Sequence, residues 1–135
     1  VKKMNESNQY DHITVYYSLW GEEFFPSKLN ISGEVEIVDA NDPGDLGNIG
    51  KYKAKPTPNG SCQVQCKLKS QNNIIYMAKH LKEHLDELKN ANASDIVYWI
   101  IWRGIQGNME FDVDELTALA DMKIPVAMDY IQMEN

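Results

Sequence analysis

Apolar and polar residues alternate along Ile13–Trp20, with Ile13, Val15, Tyr17 and Leu19 on one side. That two-residue period predicts a half-buried strand, and Gly21-Glu22-Glu23 ends it. Phe24, Phe25 and Leu29 cluster around Pro26, whose fixed φ suits a first helical turn, so a short helical turn is expected there. Glu34–Val38 reads as a second, short strand with Val35 and Ile37 inward. Ser61–Lys69 alternates again, with Cys62, Val64, Cys66 and Leu68 opposite Gln63, Gln65, Lys67 and Lys69. The period then changes: Ile74, Ala78, Leu81, Leu85 and Leu88 recur every three or four residues, the stripe of a long amphipathic helix over 72–90. Ile96–Arg103 is apolar on both sides, which predicts a central strand covered at least in part on each face. Asp112 with Glu115 three residues on forms a capping box opening a helix that uses Val113, Leu116, Leu119 and Ala120. Pro125 starts a last strand with Val126, Met128 and Tyr130 inward.

Between the second and third strands, residues 39–60 lack any sustained period and hold Pro43, Pro56, Pro58, Gly44, Gly47, Gly50 and Gly60. This predicts one long loop, with a brief extended piece near Tyr52. Residues 1–11 are polar and read as a loosely attached tail, leaving 12–135 as a single domain. Strands separated by helices imply an α+β sandwich, a mixed sheet of about five strands carrying two main helices, for which a ferredoxin-like arrangement is the simplest candidate.

Composition narrows the class of function. The chain has 135 residues, with 13 Lys and Arg against 20 Asp and Glu, a formal net charge of −7. Clustered positive charge, which a nonspecific grip on nucleic acid or anionic lipid requires, is therefore not expected. No apolar run approaches the roughly 20 residues that span a bilayer, and the first twelve residues lack the apolar stretch of a secretory signal. A cytoplasmic protein is expected, so the N-x-S sequons at Asn5, Asn30, Asn59 and Asn92 carry no glycosylation reading. The two cysteines fit the same compartment. Four residues apart on one strand they lie roughly 13 Å from each other, beyond the ~7 Å limit for a disulfide, and they read as buried reduced thiols.

Candidate chemistry is sparse. His80-Leu81-Lys82-Glu83-His84 matches the order of inverted zinc peptidases, in which two histidines one helical turn apart hold the metal and the glutamate acts as base. A third ligand would have to come from a distant carboxylate such as Glu110 or Glu115. Helical geometry, however, sets His84 at the flank of the apolar stripe and His80 further round on the wet side, near Lys79 and Lys82, so a solvated helix edge is the plainer reading. Asp39, Asp42 and Asp45 before a glycine resemble the start of a calcium loop, but Pro43 stands at the fifth ligand position and Gly50 at the place of the closing glutamate. No phosphate-cradling glycine pattern and no nucleophile elbow is present. The one remaining cluster is the end of the central strand: Trp102, Arg103, Gln106, Asn108 and Glu110. An Arg beside two amides and a carboxylate suits a small polar ligand or a partner's side chains. The ordinary structural reading has Gln106 and Asn108 satisfying a turn, Arg103 paired with Glu110 or Asp129, and Trp102 in the core.

Three stretches carry a resemblance: Tyr16-Tyr17-Ser18-Leu19-Trp20-Gly21-Glu22-Glu23-Phe24-Phe25-Pro26; Gly104-Ile105-Gln106-Gly107-Asn108-Met109-Glu110-Phe111 followed by Asp114-Glu115-Leu116; and Ile124-Pro125-Val126. Together they resemble the bacterial domain of unknown function 4279 family. The segment 39–60 departs from that family, which has a shorter connection there. The resemblance implies a small bacterial α+β domain with no activity assigned to the family as a whole. The expectation from the sequence is then a non-catalytic protein-binding module without cofactor, one version being an immunity-type protein whose acidic surface masks a basic toxin. A small-ligand protein or enzyme using the Arg103–Glu110 edge is the alternative, and a homodimer is compatible with an exposed sheet edge.

Overall fold

β1 (Ile13–Gly21) is buried at every odd position, so one of its faces packs on the core, and pairing along both of its edges places it at the centre of the sheet. The structure is a computed structural model describing residues 13–67, 73–105 and 109–133. The tail expected at 1–11 lies outside the described residues. β1 pairs antiparallel with β3 (Gly60–Cys66) on one side, Tyr17 opposite Val64, and with β4 (Asp95–Gly104) on the other, Tyr17 opposite Tyr98. β2 (Val35–Asn41) joins β3 antiparallel, and β5 (Val126–Gln132) joins β4 in parallel, giving the order β2-β3-β1-β4-β5. The expected α+β architecture, a mixed five-stranded sheet with two helices, is the one observed.

Helix α1 (Asn73–Asn90) links β3 to β4, which run parallel on either side of β1, a split β-α-β unit. Helix α2 (Val113–Met122) instead links the neighbours β4 and β5. The topology thus holds one of the split units from which a ferredoxin-like sandwich is built.

The core lies between the helices and one sheet face. Ile74, Met77, Ala78, Leu81 and Leu88 of α1 and Ala118 and Met122 of α2 cluster with Val15, Tyr17, Leu19, Tyr98 and Ile100. The Tyr98 hydroxyl donates to the Ile74 carbonyl at 2.7 Å, satisfying the one polar atom of a fully buried ring. Among the described residues no helix lies on the opposite face, so the partial cover expected on that side of β4 comes from the sheet itself. Val97, Trp99 and Ile101 are only half-buried, because cross-strand neighbours shield them: Trp99 stacks on Tyr16 with centroids 6.2 Å apart, and its indole N–H donates to Ser18 Oγ at 3.2 Å.

The element ends follow local chemistry. Asp112 caps α2 by accepting from the Glu115 amide at 2.8 Å, while the Glu115 carboxylate accepts from the Asp112 amide at 2.9 Å, the reciprocal box read from the sequence. Proline starts the short 3-10 turn Pro26–Lys28, and Phe24 beside it is buried in the core. The stretch read as one long loop is in fact a laddered arm. Thr57 exchanges backbone hydrogen bonds with Gly44 and Asp45, Gly47 does so with Ala54 and Lys55, and a 3-10 turn at Gly50–Tyr52 closes the tip.

Candidate functional site

β4 delivers the residues of the expected strand-end site, and its two-residue period sends them to opposite faces. Trp102 points to the helix side, where it packs on the core and tilts against Tyr130 at 5.3 Å; the Tyr130 hydroxyl donates to the Gly104 carbonyl at 2.8 Å. Arg103 points to the open face, where its Nη1 donates to Thr14 Oγ1 at 2.9 Å. Glu110 is exposed, and among the described residues Arg103 makes no ion pair with Glu110 or Asp129. Gln106 and Asn108 lie outside the described residues. The five residues therefore do not form one described pocket. What Arg103 joins instead is a polar and aromatic platform of Thr14, Tyr16, Ser18, Gln63, Gln65 and Trp99. The Tyr16 hydroxyl there ionises above its ordinary range because of burial first, with the charges of Asp129 and Asp39 adding to the effect.

The histidine pair is placed differently from expectation. His80 is buried, not on the wet side of α1. The chain at 29–34 lies over that flank: Ser32 O receives a hydrogen bond from His80 Nε2 at 2.8 Å, and the Tyr76 hydroxyl accepts from the Glu34 amide at 2.8 Å. Close approach needs Gly33, with φ +107°; a Cβ there would stand 2.9 Å from the Tyr76 hydroxyl and 3.1 Å from the His80 ring. His80 Nδ1 faces the Tyr17 hydroxyl at 3.1 Å, so both ring nitrogens are occupied. His84 stacks on His80 at 4.2 Å between centroids and donates from Nδ1 to the His80 carbonyl at 2.8 Å. No lone pair of His80 is left for zinc. Burial also holds its pKa below the ordinary value.

The acidic loop is likewise committed. Asp42 accepts from the Ser27 amide at 3.0 Å and from the Ser27 hydroxyl, and these bonds hold its carboxyl below the usual range. Asp45 accepts from the Asp42 amide at 2.7 Å, and Asp39 is exposed with φ +50°. Among the described residues no three His, Cys, Asp or Glu side chains are grouped to hold a metal ion. Cys62 and Cys66 are not joined in a disulfide, and burial pushes the Cys62 thiol up to about 12, which removes it as a nucleophile.

Two features lay beyond the sequence reading. An open cleft of about 430 Å³ is lined by Glu23, Phe25, Lys28, Leu29, Ala91 and Asn92, with Lys28 Nζ 4.6 Å above the Phe25 ring. More telling is β5. Val126 and Met128 share the face of Tyr98 and Ile100, yet Met128 is 51% exposed and Val126 is exposed as well, as are Ile131 and Met133. Of the three side chains expected inward on this strand, Val126 and Met128 are thus exposed instead, while Tyr130 is half-buried against Trp102. β5 also ends the sheet. Its bonds to β4 fall on odd-numbered residues, Pro125 accepting from the Tyr98 amide and Met133 donating to the Gly104 carbonyl. The alternation of a parallel ladder then turns the N–H and C=O of Val126, Met128, Tyr130 and Gln132 off the edge. Among the described residues no helix is long and apolar enough to cross a membrane.

Comparison with protein-family models, with curated proteins and with solved structures finds no match.

Proposed function

We propose that this chain is a non-catalytic protein-binding module that receives an extended segment of a basic partner along the free edge of β5. The observation that carries the reading is a strand edge that no described residue pairs, flanked by exposed Val126, Met128, Ile131 and Met133. Natural edges are commonly blunted by lysine, proline or a bulge, and none of these interrupts Val126–Gln132. Such an edge is a template for strand addition, in which main-chain bonds give affinity and alternate side chains give selectivity. Asp129 is the middle residue of β5, so symmetric pairing of two copies about it would oppose like charges. Together with the net charge of −7 this favours a cationic partner. An immunity-type role, masking a basic toxin in the cytoplasm, is the concrete form of the proposal.

The test is capture from the native host with the tagged full chain, using Met128→Pro alongside the wild type. Proline removes an N–H that points off the sheet, so the free fold tolerates it while strand addition is blocked. The expected result is a stoichiometric partner held by the wild type and lost in Met128→Pro, with new amide protection at Val126, Met128 and Tyr130. A partner that protects a different surface sinks the edge reading. The small-ligand alternative rests on Arg103, fixed beside the Tyr16–Trp99 stack on the open face. A metabolite thermal-shift screen, with any stabilisation lost in Arg103→Ala, tests it.

A further inference from the structure

The arm between β2 and β3 inverts the charge of the molecule it grows from. Residues 46–55 hold Lys51, Lys53 and Lys55 and no acidic residue, in a chain of net charge −7. Its tip is apolar as well as basic: Ile49 is 84% exposed and Leu46 64%. The arm is held in shape by its ladder and by Thr57 Oγ1, which donates to the carbonyl of Asp42 or Asp45, while Asn41 bonds Asn59 and Ser61 at the base. A pre-ordered element that keeps Ile49 in water is built to have it covered.

The complementary surface stands on α2. Its outward arc, at 100° per residue, runs through Leu116, Ala120, Val113 and Thr117, with Asp121 and Asp114 along one flank. Val113 is 75% exposed and Leu116 is exposed too. Exposed lysines and acids are mixed along α1, whereas no lysine lies within α2. Apolar centre meets apolar tip, and aspartates meet lysines. The arm leaves from β2 and β3, while α2 belongs to the β4–β5 end of the sheet, so its own copy does not seat it.

We propose that the arm of one copy docks on the outer face of α2 of a second copy, with Ile49 against Val113 and Leu116, and Lys51, Lys53 and Lys55 facing Asp114 and Asp121. Two copies make this contact reciprocally when related by a two-fold axis. The contact does not use the β5 edge, so it stands or falls separately from the function proposed above.

Sedimentation velocity on the full chain at 0.05 M and 0.5 M NaCl tests it. The wild type self-associates at low salt, and its apparent dissociation constant rises roughly tenfold or more at high salt as the charges are screened. K51E/K53E/K55E and D114K/D121K are each monomeric, because arm and helix face then carry like charge. Mixed one to one, the two variants associate, since each arm again meets an opposite α2. Circular dichroism confirms that both fold, and Ile49→Ser, at a solvated position, weakens association without touching charge. A wild type that stays monomeric at low salt overturns the proposal, as does a charge-swapped mixture that fails to associate. Binding of the wild type to vesicles of anionic phospholipid without self-association would overturn it in favour of a lipid surface.

Discussion

Tyr17 and His80, 63 residues apart, form the buried polar contact that ties α1 to the central strand, with the hydroxyl 3.1 Å from Nδ1. The tautomer follows from the neighbours. Ser32 O can only accept, so Nε2 carries the ring proton, and Nδ1 must accept from Tyr17. Burial pushes the Tyr17 phenol well above its ordinary range, which keeps it a donor. Neutral His80 is thus part of the fold.

Acid should destabilise the protein through this site. Burial lowers the folded-state pKa of His80; the Ser32 carbonyl pulls the other way, and the charge of His84 adds to the lowering. The unfolded chain, near 6.5, therefore takes up its proton first, so stability is full above pH 6.5 and declines from there down to the folded pKa. The expected outcome is a lower Tm at pH 5.5 than at 7.5, with the difference reduced in His80→Gln. Equal pH dependence in both proteins would remove His80 as the cause.

Removing the donor leaves the acceptor stranded. Tyr17→Phe should cost about 1–3 kcal/mol, the range for an unsatisfied buried polar group. Urea unfolding measures it, and a loss below ~0.5 kcal/mol would mean that water or a rotated ring replaces the bond.

The capping box offers a separate check on α2. Asp112→Ala should lower stability by about 1 kcal/mol, and Asp112→Ser, which keeps an acceptor for the Glu115 amide, should recover most of it. The readout is the denaturation midpoint at constant m-value. Equal losses in the two variants would show that the side chain matters for something other than the cap.

Much of this fold was legible because it rests on local period. β1, α1 and the Asp112–Glu115 box follow from residues a few positions apart, and their burial follows once a sheet and two helices are stacked. The rest depended on contacts between distant segments. The burial of His80 is invisible in the helical period because its cover, Ser32 and Gly33, comes from 48 and 47 residues away. The exposure of Val126 and Met128 depends on how far the helix layer extends sideways. The arm is held by backbone ladder bonds that leave no hydrophobic period. Trp102 and Arg103, by contrast, are successive residues of a strand, and the alternation that predicts β4 itself separates them onto opposite faces.

Thiol chemistry should separate the two cysteines. With its thiol pushed up to about 12, Cys62 holds about one part in ten thousand of thiolate at pH 8, and it is buried as well. Native protein is expected to titrate with Ellman's reagent at no more than one site, the half-buried Cys66, and at two sites in guanidinium. Fast modification of both in the native state would contradict the burial of Cys62 in the core.

Gly33 makes the most exacting prediction, because a matched control exists. Gly33 and Gly44 both have positive φ, +107° and +94°, so alanine at either is strained and should cost about 1 kcal/mol or more through the backbone. Their surroundings differ. Nothing lies within 4 Å of a Cβ on Gly44, whereas one on Gly33 would press on the Tyr76 hydroxyl and the His80 ring. Gly33→Ala must therefore displace the segment that covers His80, losing the Ser32 and Glu34 bonds as well as backbone ease. Its loss should exceed that of Gly44→Ala by about 1–3 kcal/mol, the worth of buried polar groups left unpaired. The imidazole resonances of His80 should report the same change, with a pKa returning toward 6.5 as water reaches the ring. Equal losses at the two glycines, with the His80 titration unmoved, would show that the 29–34 segment does not seal this side of the core.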